Sequence, residues 1–259
     1  MTDTLLDAVS AVAREAGALA MNHWRGDFEQ WEKSPGNPVS EVDLAVDLFL
    51  QKRLAELDPE AGWLSEETAD SAERLLLPRV WVVDPIDGTR DFVRGRHGWA
   101  ISIALVEGGR PLLGVLDAPA RDEHWSAAAG GGATRNGTLI RPSPRTILAG
   151  ARVPADIIPK IDHDLVTVDK PNSIALRIAM VAAGEADLVA TLRWGAEWDI
   201  AAAALIAEEA GATVTDARGN TLRYNSTRGD AFGVLVSSPG IHAAAVSRLA
   251  DRANSAFAR

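Results

Sequence analysis

Asp84-Pro85-Ile86-Asp87-Gly88-Thr89 follows the apolar run Val80-Trp81-Val82-Val83. The run reads as a buried strand, so the hexapeptide sits where a strand gives out into a turn. Two carboxylates this close repel each other unless one takes a proton or a cation lies between them. Ile86 between the acids argues against a merely solvated acidic loop. A divalent cation satisfies the pair, and Mg²⁺ prefers such hard oxygen donors. The Ile86 carbonyl lies between the two acids in sequence and is a further candidate donor.

Working outward, 259 residues allow one large domain or two intimate lobes. Apolar residues make up 47 % of the chain and charged residues 24 %, which fits a soluble globular protein with ample core. Cysteine is absent, so neither disulfides nor thiol chemistry contribute; a cytoplasmic location is expected. The acidic start Met1-Thr2-Asp3-Thr4 does not read as a signal peptide, and no apolar run reaches membrane-span length. A net charge of −10 argues against binding a nucleic-acid polymer. It leaves room for a small phosphorylated substrate, because bound cations would invert the local field.

Periodicity predicts a helix over 3–23, a loop over 33–38, and a helix from Ser40 to about Leu57 with Asp43 in its first turn. Strands are expected at 63–64, 79–84, 98–106 and 111–117, the last two as a hairpin, and at 123–129 and 138–141 around Gly130-Gly131-Gly132. The second half alternates: strand 164–168, helix 173–184, strand 186–192, helix 199–210, strand 212–216, strand 231–237, helix 239–253. Arg141-Pro142-Ser143-Pro144 marks a soft boundary. The pattern divides into an N-terminal α+β lobe of 1–145 and a C-terminal α/β lobe of 146–259.

Three acidic stations end apolar elements: Glu66-Glu67 after Trp63-Leu64, Asp84 with Asp87, and Asp199 before an Ala-rich helix. Each has a plainer reading: Asp87-Gly88 as a turn, Asp199 as a helix N-cap, Glu66-Glu67 as a solvated pair. An EF-hand fails on spacing, since the third and twelfth positions counted from Asp84 are Ile86 and Gly95. An aspartyl-phosphate site needs acids two apart, and here they are three apart.

Asp84-Pro85-Ile86-Asp87-Gly88-Thr89 resembles a signature of the inositol monophosphatase family, which comprises Mg²⁺-dependent, typically lithium-sensitive phosphomonoesterases. The resemblance extends to Val39-Ser40-Glu41-Val42-Asp43, Ser65-Glu66-Glu67, Gly132-Ala133-Thr134-Arg135-Asn136-Gly137 and Trp198-Asp199-Ile200-Ala201-Ala202-Ala203 with Glu209-Ala210-Gly211. It implies a layered αβαβα sandwich of mixed α+β and α/β character, with an antiparallel N-terminal sheet and a mixed C-terminal sheet. It implies two to three Mg²⁺ ions: Glu66, Asp84 and the Ile86 carbonyl on one, Asp84, Asp87 and Asp199 on a second, Glu66 helping to hold a third. Thr89 and Asp43 would orient and deprotonate the attacking water, with Gly88 and Thr89 amides on the phosphate. Relatives are often homodimers.

The departures touch the substrate. Ser65 stands where the family usually has Gly, and Asn172-Ser173-Ile174-Ala175 where many members have a Gly-Ser-Ala-type segment. Inositol monophosphate, adenosine 3′,5′-bisphosphate and histidinol phosphate compete as substrates, with a lean to the bisphosphate; a non-catalytic phosphate-binding homologue is the alternative of another class. Ser173, Arg193 and Asp199 are the expected substrate contacts. Arg193 and Trp194 would take a second phosphate and stack on a base; a core Trp194 and a surface Arg193 are the plainer reading. Lys33 reads as a solvated loop residue or a lid, His97 and His124 as surface or loop residues, and the glycine run as a flexible hairpin.

Overall fold

Strand alternation sets up the layers. The computed structural model describes residues 2–35 and 37–258. In chain order the elements are α1 (Thr2–His23), β1 (Gln30–Ser34), β2 (Asn37–Ser40), α2 (Glu41–Leu57), β3 (Gly62–Ser65), β4 (Arg79–Asp87), α3 (Thr89–Val93), β5 (Ala100–Glu107), β6 (Arg110–Ala118) and β7 (Glu123–Ala128). There follow β8 (Ala133–Arg135), β9 (Thr138–Leu139), β10 (Arg152–Pro154), β11 (Val166–Val168), α4 (Ile174–Ala182), β12 (Leu188–Ala196), α5 (Ala201–Ala210), β13 (Thr213–Thr215), β14 (Asp230–Ser237) and α6 (His242–Phe257).

Strands β3 to β9 form one seven-stranded sheet in sequence order. Successive side chains of a strand point to opposite faces. Trp81, Val83, Ile101, Ile103 and Leu105 therefore face one way and pack on Val12, Ala16, Val46 and Leu50 of α1 and α2. Val80, Val82, Ala104 and Val106 face the other way, onto α4 and α5. The same cluster continues to Val189, Val234 and Val236 of a second sheet, ordered β12-β14-β13. Leu188 and Leu235 of that sheet meet Ala245 and Leu249 of α6 on its far side. The result is the expected five-layer αβαβα sandwich.

Two details differ from the expected sheets. β3 joins β4 in parallel, so the N-terminal sheet is antiparallel only from β4 onward. The C-terminal half holds parallel and antiparallel ladders in separate sheets: β10 with β11 is parallel, β12-β14-β13 antiparallel. The segment expected as a loop at 33–38 instead closes a hairpin, with Trp31 opposite Val39 and Glu32 opposite Pro38. In a two-stranded ribbon Pro38 sits on an edge, where its missing N–H is tolerated; Gly36 lies outside the described residues. A short β8 also emerges, too brief to show alternation. The glycine run is docked, since Glu209 of α5 accepts the Gly130 and Gly132 amides at 2.8 and 2.9 Å.

The Ala201-Ala202-Ala203-Ala204 run explains the tight central layer. Alanine is the strongest helix former and adds no bulk, so α5 lies close on the sheet. Gly114 of β6 is the matching gap: a Cβ there would lie 2.6 Å from the Ala202 carbonyl oxygen. Gly114→Ala is expected to lower stability by about 1–3 kcal/mol through overpacking, and Gly114→Val by more. Urea midpoints check this, and an unchanged midpoint for both would show that this contact does not set the helix–sheet spacing.

Candidate active site

The decisive local feature is a bulge in β4. Asp84 pairs with Ser102 and Asp87 with Ala100, three steps on one strand against two on its neighbour. In a regular strand residues three apart point to opposite faces. The extra residue cancels that, as bulges do. Ile86 stays with Trp81 and Val83 in the α1/α2 core, while Asp84 and Asp87 both open into one cavity on the α4/α5 side. The Asp84 carboxylate accepts the Ile86 amide at 3.0 Å, which holds the bulge.

Gly88 follows at φ +99°, and a Cβ there would meet the Gly98 carbonyl oxygen at 2.6 Å. Only glycine fits that conformation and that gap. The turn delivers Thr89 to the start of α3. The Thr89 hydroxyl has two acceptors at 3.1 Å, the Asp43 carboxylate and the Ile86 carbonyl. It carries one hydrogen and can serve only one at a time. Asp43 is fixed in the first turn of α2 by a reciprocal capping box with Ser40. Burial pushes the Asp43 carboxyl up, against the Ser40 and Thr89 hydrogen bonds.

Asp87 is held from the C-terminal half. It accepts the Ser173 hydroxyl at 2.5 Å and the Ala175 amide at 2.7 Å, at the N-terminus of α4. Ser173 also caps that helix through the Leu176 amide. It is fully buried and does not line the cavity, so its visible work is to anchor Asp87. Asp199 precedes α5, but the N-cap position belongs to Ile200 and no side chain caps there. The capping reading of Asp199 is therefore replaced: its carboxylate faces the cavity.

Glu66 lines the cavity from the corner after β3. The solvated-pair reading fails, because the Glu67 side chain is only 3 % exposed. Lys33 of β1 bridges Glu67 at 2.6 Å and Glu66 at 3.2 Å, so it is neither a free loop cation nor remote from the acids. Asp47, one turn after Asp43, binds the Ser65 and Thr68 hydroxyls on either side of the two glutamates. That explains Ser65: its hydroxyl ties the corner to α2.

The cavity has a volume of about 660 Å³. Of the residues singled out from sequence it is lined by Glu66, Asp84, Asp87, Gly88, Thr89, Arg193 and Asp199, with Asp43 one hydrogen bond behind. Asn172, of the segment marked from sequence as touching the substrate, lines it too; Arg90, Lys170 and Arg177 also line it, and sequence reasoning missed them. Arg177 lies on α4 one turn past the residues that bind Asp87, a helical spacing that could have flagged it. Trp194 is absent from this lining and neither core nor stacked there: at 45 % exposure it packs on Phe232 and Phe257. Adjacent strand residues face opposite ways, so Arg193 and Trp194 part company. His97 is exposed as expected, whereas His124 is buried and bonds Asp117 at 2.9 Å.

The acids perturb one another strongly. Burial, then the charges of Glu66, Asp87, Asp199 and Asp43, raise Asp84 well above the usual carboxylate range. Burial, Asp87 and Glu66 do the same to Asp199. Burial raises Asp87 to about 6 despite Ser173 and the α4 amides. Among the described residues no three acids or imidazoles are drawn into a finished ligand set. The donor chemistry still fits a hard divalent cation: all four are carboxylates, they share one cavity, and their repulsion is relieved by positive charge.

Known proteins resemble the chain across this architecture. It is 35 % identical over 225 residues to a fructose-1,6-bisphosphatase/inositol-1-monophosphatase of Thermotoga maritima, covering 83 % of this chain and 85 % of that one. It is 32 % identical over 230 residues to the 3′(2′),5′-bisphosphate nucleotidase CysQ of Escherichia coli, covering 85 % and 94 %. The solved structure of a Thermotoga maritima IMPase superposes with a TM-score of 0.84 at 31 % identity, over 96 % and 98 % of the two chains. The class so defined is that of the phosphoric monoester hydrolases. The chain belongs to the inositol monophosphatase family, whose sequence pattern it matches over residues 1–259.

One consequence is open to titration. Asp87 and Glu67, raised chiefly by burial to about 6 and about 7, hold protons in the folded chain that the unfolded chain has lost. Folded-state protonation then favours folding at low pH, and the advantage disappears as pH rises through the folded values. With chelator present, thermal stability is expected to fall between about pH 4 and pH 7, and Asp87→Asn should flatten the slope. Thermal melts across that range check it; stability rising with pH would contradict the burial.

Proposed function

We propose that the chain is an Mg²⁺-dependent phosphomonoesterase that hydrolyses a small phosphorylated metabolite. The observation that carries this reading is the cavity where Glu66, Asp84, Asp87 and Asp199 converge beside the Thr89–Asp43 pair. Those four side chains, with the Ile86 carbonyl, would hold the ions. Bound Mg²⁺ supplies neutralising charge for the phosphate and lowers the pKa of water.

The remaining chemistry belongs to the chain. A water at the mouth of the Thr89 hydroxyl would donate to it while that hydroxyl donates to Asp43. As the water oxygen attacks phosphorus and the ester P–O bond breaks, the water proton moves to Thr89 and the Thr89 proton to Asp43. The departing alkoxide takes a proton from solvent. A threonine hydroxyl is too weak a base alone, so Asp43 is needed as acceptor, and its raised pKa suits the task. Gly88 and Thr89 amides would face the phosphate. The same reading includes two to three ions, lithium inhibition, a homodimer, a cytoplasmic setting and the 1–145/146–259 lobes.

The cavity wall favours a substrate with two phosphates. Arg90, Arg177 and Arg193 line it together with the acids, and Lys170 lines it while paired with Asp156, so the wall carries cationic groups beyond the acids. A 3′(2′),5′-bisphosphate nucleotide uses these cations better than an inositol monophosphate; histidinol phosphate is the further candidate.

Phosphate release from adenosine 3′,5′-bisphosphate, inositol 1-phosphate and histidinol phosphate, with and without Mg²⁺ and then with lithium, tests the reading. Release should require Mg²⁺, and no release from any ester would leave only a binding role. Asp87→Asn is expected to cost on the order of 100-fold in kcat with the fold intact. Arg177→Met should raise KM for the bisphosphate by about 10-fold or more while sparing the monophosphates, as loss of a charge-assisted hydrogen bond of about 1.5–3 kcal/mol implies. Equal effects on all three esters would remove the two-phosphate preference.

A further inference from the structure

Two buried charges lie just behind the cavity and touch nothing in it. Arg74 is 2 % exposed and sits in the short turn that follows the Glu66 corner. Glu197 is fully buried, two residues before Asp199. Neither lines the cavity. Between them runs the turn at Asn225 and Ser226, with Asn225 in the left-handed region at φ +60°.

The turn is gripped from both sides. Arg74 grips Asp70 with Nε and Nη2 at 2.6 and 2.8 Å, and its fork reaches the Asn225 side-chain oxygen and, at 2.9 Å, the Ser226 carbonyl. The Glu197 carboxylate accepts the Asn225 amide at 2.5 Å and the Ser226 amide at 2.9 Å. The cation thus takes the acceptors of the turn and the anion takes its donors. Buried charges with a partner on each charged atom are costly to disturb, because removing one partner strands the other. The Glu197 backbone carbonyl also accepts the Ile200 and Ala201 amides, at 3.1 and 2.9 Å, which ties the clamp to the start of α5 across Asp199.

We infer that Arg74 and Glu197 are positioning residues that, through the Asn225–Ser226 turn, set the separation of Glu66 from Asp199. The inference rests on the proposed metal-dependent hydrolase and extends it to residues outside the cavity. Two walls reached from chain segments more than a hundred residues apart need a fixed strut between them, and this clamp spans the same two segments. A misplacement of about 1 Å at a reacting centre can cost on the order of 100-fold, so a strut without substrate contact still governs rate.

The test uses the full chain with Glu197→Gln, which keeps shape but turns one acceptor into a donor facing an amide, and the milder Asn225→Gly. Glycine suits the positive φ and removes only the Arg74 contact. Well below the melting temperature, with folding verified by circular dichroism, calorimetric titration with Mg²⁺ is expected to show about 10–100-fold weaker binding in Glu197→Gln. Asn225→Gly should show a smaller loss. kcat should fall in the same order, partly restored by high Mg²⁺, with KM for the ester little changed. Crystal structures of parent and variant supply the independent readout: Asp199 should shift relative to Glu66. Folded variants with parental Mg²⁺ affinity and an unmoved Asp199 would overturn the inference even if their melting temperatures fall. A parent that neither binds Mg²⁺ nor hydrolyses any ester would sink the hydrolase reading instead, and the Asp199 position would still decide the strut.

Discussion

Four carboxylates turned into one cavity is the constraint to which the surrounding structure answers. Their mutual repulsion and burial push Asp84, Asp87 and Asp199 above the usual carboxylate range. Such a cluster persists only if the rest of the molecule holds it and positive charge relieves it. The holding is visible. Asp87 receives a hydroxyl and two amides from the start of α4, Asp84 receives the Ile86 amide, and Glu66 and Glu67 are steadied by Lys33.

The supports are spread over the layers in a way that makes the cavity a joint product. α2 contributes twice from one face, Asp43 toward Thr89 and Asp47 toward Ser65 and Thr68. α4 contributes its N-terminus to Asp87, where backbone amides and the helix dipole favour negative charge. The central layer brings these together because α5 begins with four alanines and Gly114 lets it approach. Asp199, just before α5, reaches the same cavity as Asp84 from that layer. The basic residues on the same wall complete a charge pattern suited to phosphate esters held together with cations.

Much of this was legible along the chain. Apolar alternation and caps marked the main helices and strands within a few residues, since burial periodicity is a local property. The hairpin at Lys33 and Pro38 was not, because a polar two-stranded ribbon has no alternation to show and Pro and Gly read as loop. Sequence reads Glu67 as solvated and His124 as a surface or loop residue, yet each is buried against a partner 34 or 7 positions away, Lys33 and Asp117. Charged residues carry no sequence mark of such pairing.

The sequence by itself determined which residues are candidates for the chemistry: an acid pair at a strand end, two further acidic stations, an Asp-Gly turn beside the pair, and a family pattern running the whole length. Tertiary structure decided which way those groups point. Acids three apart would face opposite sides of a regular strand, and one bulged residue against β5 brings them to the same side. It also decided that Arg177 and Arg193 meet the acids while Trp194 turns away. Side-chain direction depends on register and on partners far along the chain, and spacing alone does not encode either.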